Sequence, residues 1–325
     1  MKTSKLIPKA IGIAGIALSF SFISNQSLAQ YNSCAAQNVI TEEVEEVYYD
    51  DVTRSERKRV VKKEVASDSY GNANGNQYDL AVDGAFEGQT IAVLHLYTGE
   101  GFDFKLPEAA LKEKGFSVYR WMNRPPEPEE LKEGLDKACQ LWIVSSSTQM
   151  LNKEHIKVIK EFFDAGKGVY IWGDNQPYYA DANYVAKELI GVEMNGNTMG
   201  NKVVDLMMGG KKVGVMPNHL ITTGIQNLYE GVTIATLSDH KDLEPIVYGS
   251  AGNLVTAVYE KNGKRLILDG GFTRLYINWD TAGTGRYVKN AAAWLVNYEK
   301  FGDEVVSNDV LEEEEIEEEE GVLEE

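Results

Sequence analysis

From Gly88 onward, apolar residues gather in short continuous runs separated by stretches with helical spacing. Thr90-Ile91-Ala92-Val93-Leu94 is apolar and β-branched without interruption. A strand covered on both faces reads this way. Phe116 to Trp121, Leu141 to Val144 and Val169 to Trp172 repeat the signal. Between the runs lie predicted helices over Pro107 to Lys114, Pro128 to Ala138, the segment capped by Asn152, and Asp181 to Ile190. Ile156, Ile159, Phe162 and Phe163 recur at helical spacing, and proline or glycine punctuates the ends. Strands alternating with helices across short loops predict an α/β fold. The expected form is a doubly wound, mostly parallel, flavodoxin-like sheet with helices on both faces.

The second half changes rhythm. Val203 to Met208 and Lys211 to Met216 flank Gly209-Gly210, and Leu254 to Glu260 and Arg265 to Asp269 flank Asn262-Gly263. Both dipeptides predict added antiparallel hairpins. Further strands are expected at Val232 to Leu237 and Pro245 to Tyr248, with a closing helix from Gly285 to Tyr298.

The two ends differ in character from this body. Lys2, Lys5 and Lys9 precede an apolar stretch from Ala10 to Ile23, and Ser27-Leu28-Ala29 ends in a small-x-small pattern. Residues 1–29 are therefore expected to be a signal peptide, which places the protein outside the cytoplasm, in the periplasm or beyond the cell. The stretch is short for a membrane span, and no span is expected once the signal is cleaved. An uncleaved anchor and lipidation at Cys34 are the other readings. Residues 30–80 hold an acidic block, Glu42 to Glu46, a basic block, Arg57 to Lys63, and flexible Gly71-Asn72-Ala73-Asn74-Gly75. They read as a charged, disordered arm. The α/β domain is assigned to 81–300. An acidic disordered tail follows over 301–325, with ten glutamates between Leu311 and Glu325.

The net charge of -18 excludes a nucleic-acid partner, which is held through clustered Lys and Arg. The charged arm or acidic tail offers instead a way to attach to an assembly partner. Cys34 and Cys139 are the only cysteines, and Cys139 opens an apolar run. A buried Cys139 is not expected to bridge a cysteine of the arm.

Ligands of a doubly wound sheet bind at the carboxyl ends of its strands. Four segments follow those ends: His95 to Gly101, Ser145 to Thr148, Gly173 to Tyr179, and Gly270 to Arg274. From them come the expected ligand contacts Ser146, Ser147, Asp174, Asn175, Tyr178, Thr273 and Arg274. Arg274 could fork onto a carboxylate or phosphate, and Tyr178 or Trp279 could stack on a sugar ring. Asp174 and His95 are the candidate catalytic groups. His155 is expected to be exposed in a helix first turn. No phosphate loop, complete dinucleotide fingerprint or GxSxG elbow is present. Neither a cofactor nor a metal is predicted, although Asp174, Asp269 and Asp280 are hard-cation ligands by type.

The span from Gln89 to Tyr298 resembles the class I glutamine amidotransferase-like superfamily. It is most similar there to ThuA-like proteins and the related gliding-motility and intraflagellar-transport domains. The resemblance rests on Ser145-Ser146-Ser147, on Asp164-Ala165-Gly166-Lys167-Gly168 leading into Val169 to Gly173, and on Asn218-His219-Leu220-Ile221-Thr222-Thr223-Gly224. It rests also on Gly263 to Gly270 followed by Asn290 to Leu295. In amidotransferases of this kind a nucleophilic cysteine follows the strand that ends here at Trp172. This sequence has Gly173-Asp174-Asn175 there, and Gly271-Phe272-Thr273-Arg274 where the family's histidine and glutamate stand. A carboxylate cannot form the thioester of glutamine hydrolysis, so glutaminase activity is not expected. Two readings of function stay open. One is an exported, non-catalytic module that binds a small molecule, a glycan or a protein. The other is a hydrolase or isomerase acting on a small or carbohydrate-like substrate with Asp174 as acid or base.

Overall fold

In this computed structural model, which describes residues 41–99, 101–207, 209–279 and 282–305, the chain opens on an antiparallel hairpin. Its strands are β1 (Thr41–Asp50) and β2 (Ser55–Glu64). The expected signal peptide over 1–29, Cys34, and residues 306–325 of the tail expected over 301–325 lie outside the described residues. The expectation of a disordered arm across 30–80 is corrected for residues 41–80. Two blocks of opposite charge can neutralise each other as neighbouring strands. Glu43 faces Lys62 and Glu46 faces Arg59 in the register. Residues 65–80 then pack onto the body. Asp79 is wholly buried, accepts from Arg286 Nε at 2.7 Å, and is ion-paired with Lys114 Nζ at 3.0 Å and Lys289 Nζ at 2.7 Å. The buried amide of Asn290 accepts from Leu80 N at 2.7 Å and donates to Ile221 O at 3.0 Å and Thr223 O at 2.8 Å.

Helices and strands then alternate as the apolar pattern implies. They are β3 (Thr90–His95), α1 (Lys105–Glu113), β4 (Ser117–Met122), α2 (Pro128–Leu135) and β5 (Gln140–Val144), then α3 (Lys153–Asp164), β6 (Gly168–Trp172) and α4 (Ala180–Ile190). Asn152 caps α3, accepting from the N–H groups of Glu154 and His155. The ring of His155 reaches back to the cap and to Pro126 O at 2.7 Å. His155 is therefore buried, contrary to the expectation of exposure, because a helix-capping role draws the imidazole inward.

The remaining strands are β7 (Met194–Met199), β8 (Val203–Asp205), β9 (Gly214–Val215), β10 (Asn227–Tyr229), β11 (Thr233–Leu237), β12 (Glu244–Tyr248), β13 (Leu254–Lys261) and β14 (Lys264–Asp269). The helix α5 (Thr284–Leu295) follows. One eight-stranded sheet dominates, in the order β4-β3-β5-β6-β14-β13-β12-β9. From β4 to β14 its neighbours are parallel, and from β14 to β9 they are antiparallel. The fold is thus α/β with a mixed, mostly parallel central sheet. The Asn262-Gly263 hairpin forms, with Lys261 opposite Lys264 and both turn residues at positive φ. The hairpin expected at Gly209-Gly210 does not. Both glycines take positive φ, but β8 pairs with β10 and β9 with β12. The flanking residues find longer-range partners that bury Val204, Leu228, Val215 and Val247.

Alternation along each strand divides the core between the faces of the sheet. Ile91, Val93, Trp142, Tyr170 and Ile267 pack with α1 and α5. Ala92, Leu94, Leu141, Ile171 and Leu268 pack with α2, α3 and α4. Burial on both faces explains why these strands are unbroken apolar runs. Cys139 enters this core and is a free, buried thiol, which burial pushes up to about 12.

Candidate functional site

Register brings the carboxyl ends of four strands level. His95 lies beside Val144, Val144 beside Trp172, and Trp172 beside Asp269. The chain leaves the sheet here, so polar side chains are held over an apolar floor. The loop after β6 turns tightly, with Asp174 N donating to Tyr178 O at 3.1 Å and a cis bond between Gln176 and Pro177.

Asp174 is a buried group at this edge with an unpartnered atom among the described residues, as are His95, at Nε2, and Arg274, at Nε. It is 6% exposed, and its Oδ1 meets no hydrogen-bond partner among the described residues. Burial raises its carboxyl to about 7, against the opposing hydrogen bond from the Asn175 backbone; Asp269 adds repulsion and Arg274 attraction. Three tyrosines gather by it. Tyr97 meets Tyr178 edge-on with centroids 5.8 Å apart, and Tyr276 shares a hydrogen bond with Tyr97. The hydroxyl of Tyr276 is raised, first by burial and then by its Tyr97 bond, with Asp174 and Tyr178 adding negative potential. Phe272 lies beneath, 4.9 Å from Tyr97 and 5.6 Å from Tyr276.

Under Asp174 sits a different acid. Asp269 is fully buried and fully engaged. Tyr287 Oη donates to its Oδ2 at 2.7 Å and Tyr170 Oη at 3.3 Å, while Gly271 N donates to Oδ1 at 2.9 Å. Arg274 Nη1 lies 3.2 Å from Oδ2, and Nη2 donates to Glu230 O at 3.1 Å. Arg274 is therefore a wholly buried cation whose partner is Asp269, at the position where its place in the sequence suggested a ligand contact. A guanidinium with a buried carboxylate in reach pairs with it, although Arg274 Nε meets no hydrogen-bond partner among the described residues.

The other expected residues divide. Thr273 is turned inward, its Oγ1 accepting from Val232 N at 2.8 Å. Asn175 is half-buried and accepts from Thr233 Oγ1 at 2.8 Å. Ser146 is buried, and its carbonyl accepts from Ala180 N at 3.2 Å; Ser147 is half-buried at the same edge. Tyr178 stands in the tyrosine group. Trp279 is half-buried against the core. His95 is buried at the end of β3, its Nδ1 3.3 Å from Arg120 Nη1 and its ring against Phe102. Burial, then Arg120, lowers it to about 4, so the imidazole is neutral at physiological pH. Tyr97 and Tyr276 were missed from sequence, although both lie in or just past the strand-end segments. Their signal was an aromatic ring with a hydroxyl in a loop.

Among the described residues, no group of three or more His, Cys, Asp or Glu is arranged to hold a metal ion, and Asp280 lies outside them. Asp269 is already taken by Arg274 and two tyrosines. No described helix is long and apolar enough to cross a membrane.

No protein-family model matches the chain, and no curated protein matches it. Solved structures show a distant likeness. A ThuA-like protein from Parabacteroides merdae is 11% identical with a TM-score of 0.44, over 65% of this chain and 90% of that one. An exo-beta-1,4-mannosidase from an Opitutaceae bacterium is 10% identical with a TM-score of 0.36, over 64% of this chain and 36% of that one. The glutaminase domain of a Trypanosoma brucei CTPS with bound acivicin is 9% identical with a TM-score of 0.35, over 65% and 94%. The chain thus spans about a third of the mannosidase and most of the other two. All three fall below 12% identity and below a TM-score of 0.5, and they carry no argument about family or chemistry.

Proposed function

We propose that the loop cluster at the carboxyl ends of β3, β6 and β14 is the active site of an exported hydrolase or isomerase. Asp174 is its general acid/base, and the substrate is a small, carbohydrate-like molecule. One observation carries the reading: a buried carboxyl at a strand end, one oxygen unpartnered, with its proton affinity raised to about 7. A carboxyl near neutrality can both give and take a proton at working pH. Burial of a polar atom without a partner costs stability, and such costs concentrate where chemistry is done. Tyr97, Tyr178 and Tyr276 offer ring faces and hydroxyls to a polyhydroxylated ring.

A second reading has its own support. Asp269 is committed to Arg274, and His95 lies against Arg120, so among the described residues neither is placed as a second acid or base for Asp174. That favours a non-catalytic module binding a small molecule, glycan or protein. The test is a panel of chromogenic glycosides, sugar esters and reducing sugars, run with the wild type and with Asp174→Asn. Turnover with a pH limb near 7, lost by about 10²-fold or more in the variant, is the expected result. Saturable binding of the same sugars without turnover would replace the enzyme by the binding module. Full activity in Asp174→Asn would remove Asp174 from either role.

A further inference from the structure

The hairpin β1–β2 is built unlike the rest of the molecule. Its two ten-residue strands pair only with each other among the described residues. A lone two-stranded hairpin is marginal in water, and both of its long edges leave backbone groups open to another strand. One face leans on the body: Val44 and Val61 are cross-strand partners and half-buried, and Tyr78 Oη donates to Glu42 Oε2 at 2.9 Å. The opposite face is bare. Val47, Tyr49 and Val60 are 59%, 60% and 64% exposed there. Natural edges are usually blunted by charged side chains, above all Lys, by proline or by bulges; of these the hairpin has only the charges. Here the register runs through ten consecutive pairs without a bulge, and neither strand contains proline.

The two edges also carry opposite charge. β1 holds Glu42, Glu43, Glu45, Glu46 and Asp50 and no cation. β2 holds Arg57, Lys58, Arg59, Lys62 and Lys63 against Glu56 and Glu64. Placing β1 beside a second β1 sets carboxylates against carboxylates, and β2 beside β2 sets cations against cations. Only β1 beside β2 is compatible, and the register that puts Glu43 opposite Lys62 within the hairpin would repeat between chains.

We propose that this hairpin is a self-association element in which β1 of one copy adds to the β2 edge of a second copy. The contact is head-to-tail, since the like-charged two-fold alternatives repel, so it builds a ring or an open chain of copies. The inference is independent of the strand-end loop cluster.

Sedimentation velocity on the full chain tests it, at about 0.05 M and about 1 M salt, because exposed ion pairs are screened over this range. Association at low salt that weakens roughly tenfold or more at high salt is expected. It should be absent from a chain lacking residues 41–64. Should that deletion disturb the fold, Lys58→Gln with Lys62→Gln, which leaves the Arg57–Asp50, Arg59–Glu46 and Lys63–Glu46 pairs across the hairpin, should weaken association in the same direction. Hydrogen exchange of residues 41–64 should slow as protein concentration rises. A full chain that stays monomeric at low salt overturns the proposal, as does association that survives removal of 41–64. Protection of β2 in a monomer, lost on deleting residues 306–325, would make the acidic tail the occupant and the second copy wrong.

Discussion

Replacing Asp174 with Asn should stabilise the protein at neutral pH, by an amount the structure bounds. The side chain is 6% exposed, and burial is the largest influence on its carboxyl, which rises from 3.8 to about 7. The folded chain therefore holds a proton that the unfolded chain releases near pH 4. Between about pH 4 and pH 7, unfolding releases that proton, so stability falls as pH rises and the loss is complete above about 7. At about 1.4 kcal/mol per pH unit, the gap of about three units amounts to about 4 kcal/mol. Asn carries no charge to desolvate and keeps the shape, so it escapes the loss. Unfolding in urea at several pH values, wild type against Asp174→Asn, measures this directly. The curves should meet below about pH 4 and separate by up to about 4 kcal/mol near pH 8, with the variant more stable. Other titrating groups are common to both chains and cancel. Parallel curves, or a variant less stable at pH 8, would refute the claim that a desolvated carboxylate sits in the loop cluster. A gain in stability together with lost turnover is the trade expected of an active-site group.

Three further outcomes follow from packing. Arg274→Met should destabilise the fold by about 3–5 kcal/mol in equilibrium unfolding, since it strands the buried Asp269 carboxylate; Asp269→Asn in the same chain should recover part of the loss. Asn290→Ala removes three buried hydrogen bonds and should cost about 3 kcal/mol or more. Limited proteolysis should then cut within residues 65–80 before the α/β body. Gly263→Val forces a β-branched residue to φ 66 in the β13–β14 turn and should lower stability by about 1–2 kcal/mol, read as a shift in the urea midpoint.

Much of this molecule is local in its causes, and that part is legible in the chain. Thr90–His95 and Gly168–Trp172 are unbroken apolar runs because helices cover both faces, and that requirement shows in the residues themselves. The turn at Asn262-Gly263 needs only two residues able to take positive φ. Asp174 was legible as a strand-end residue for the same reason: the end of an apolar run marks where the chain leaves the sheet.

Tertiary structure decided the rest, because the deciding groups are far apart in sequence. Gly209 and Gly210 have the same local turn chemistry as the true hairpin, yet β8 and β9 are drawn to β10 and β12. Opposite charge blocks read as a solvated arm until Glu43 is seen facing Lys62. Arg274 has the chemistry of a ligand clamp, but Asp269 lies 3.2 Å away across a buried turn and claims it. Asp174 became distinctive through burial and the convergence of Tyr97, Tyr178 and Tyr276. Hydrophobic period is written residue by residue. Charge pairing and desolvation depend on which distant segments meet, and only the folded chain brings them together.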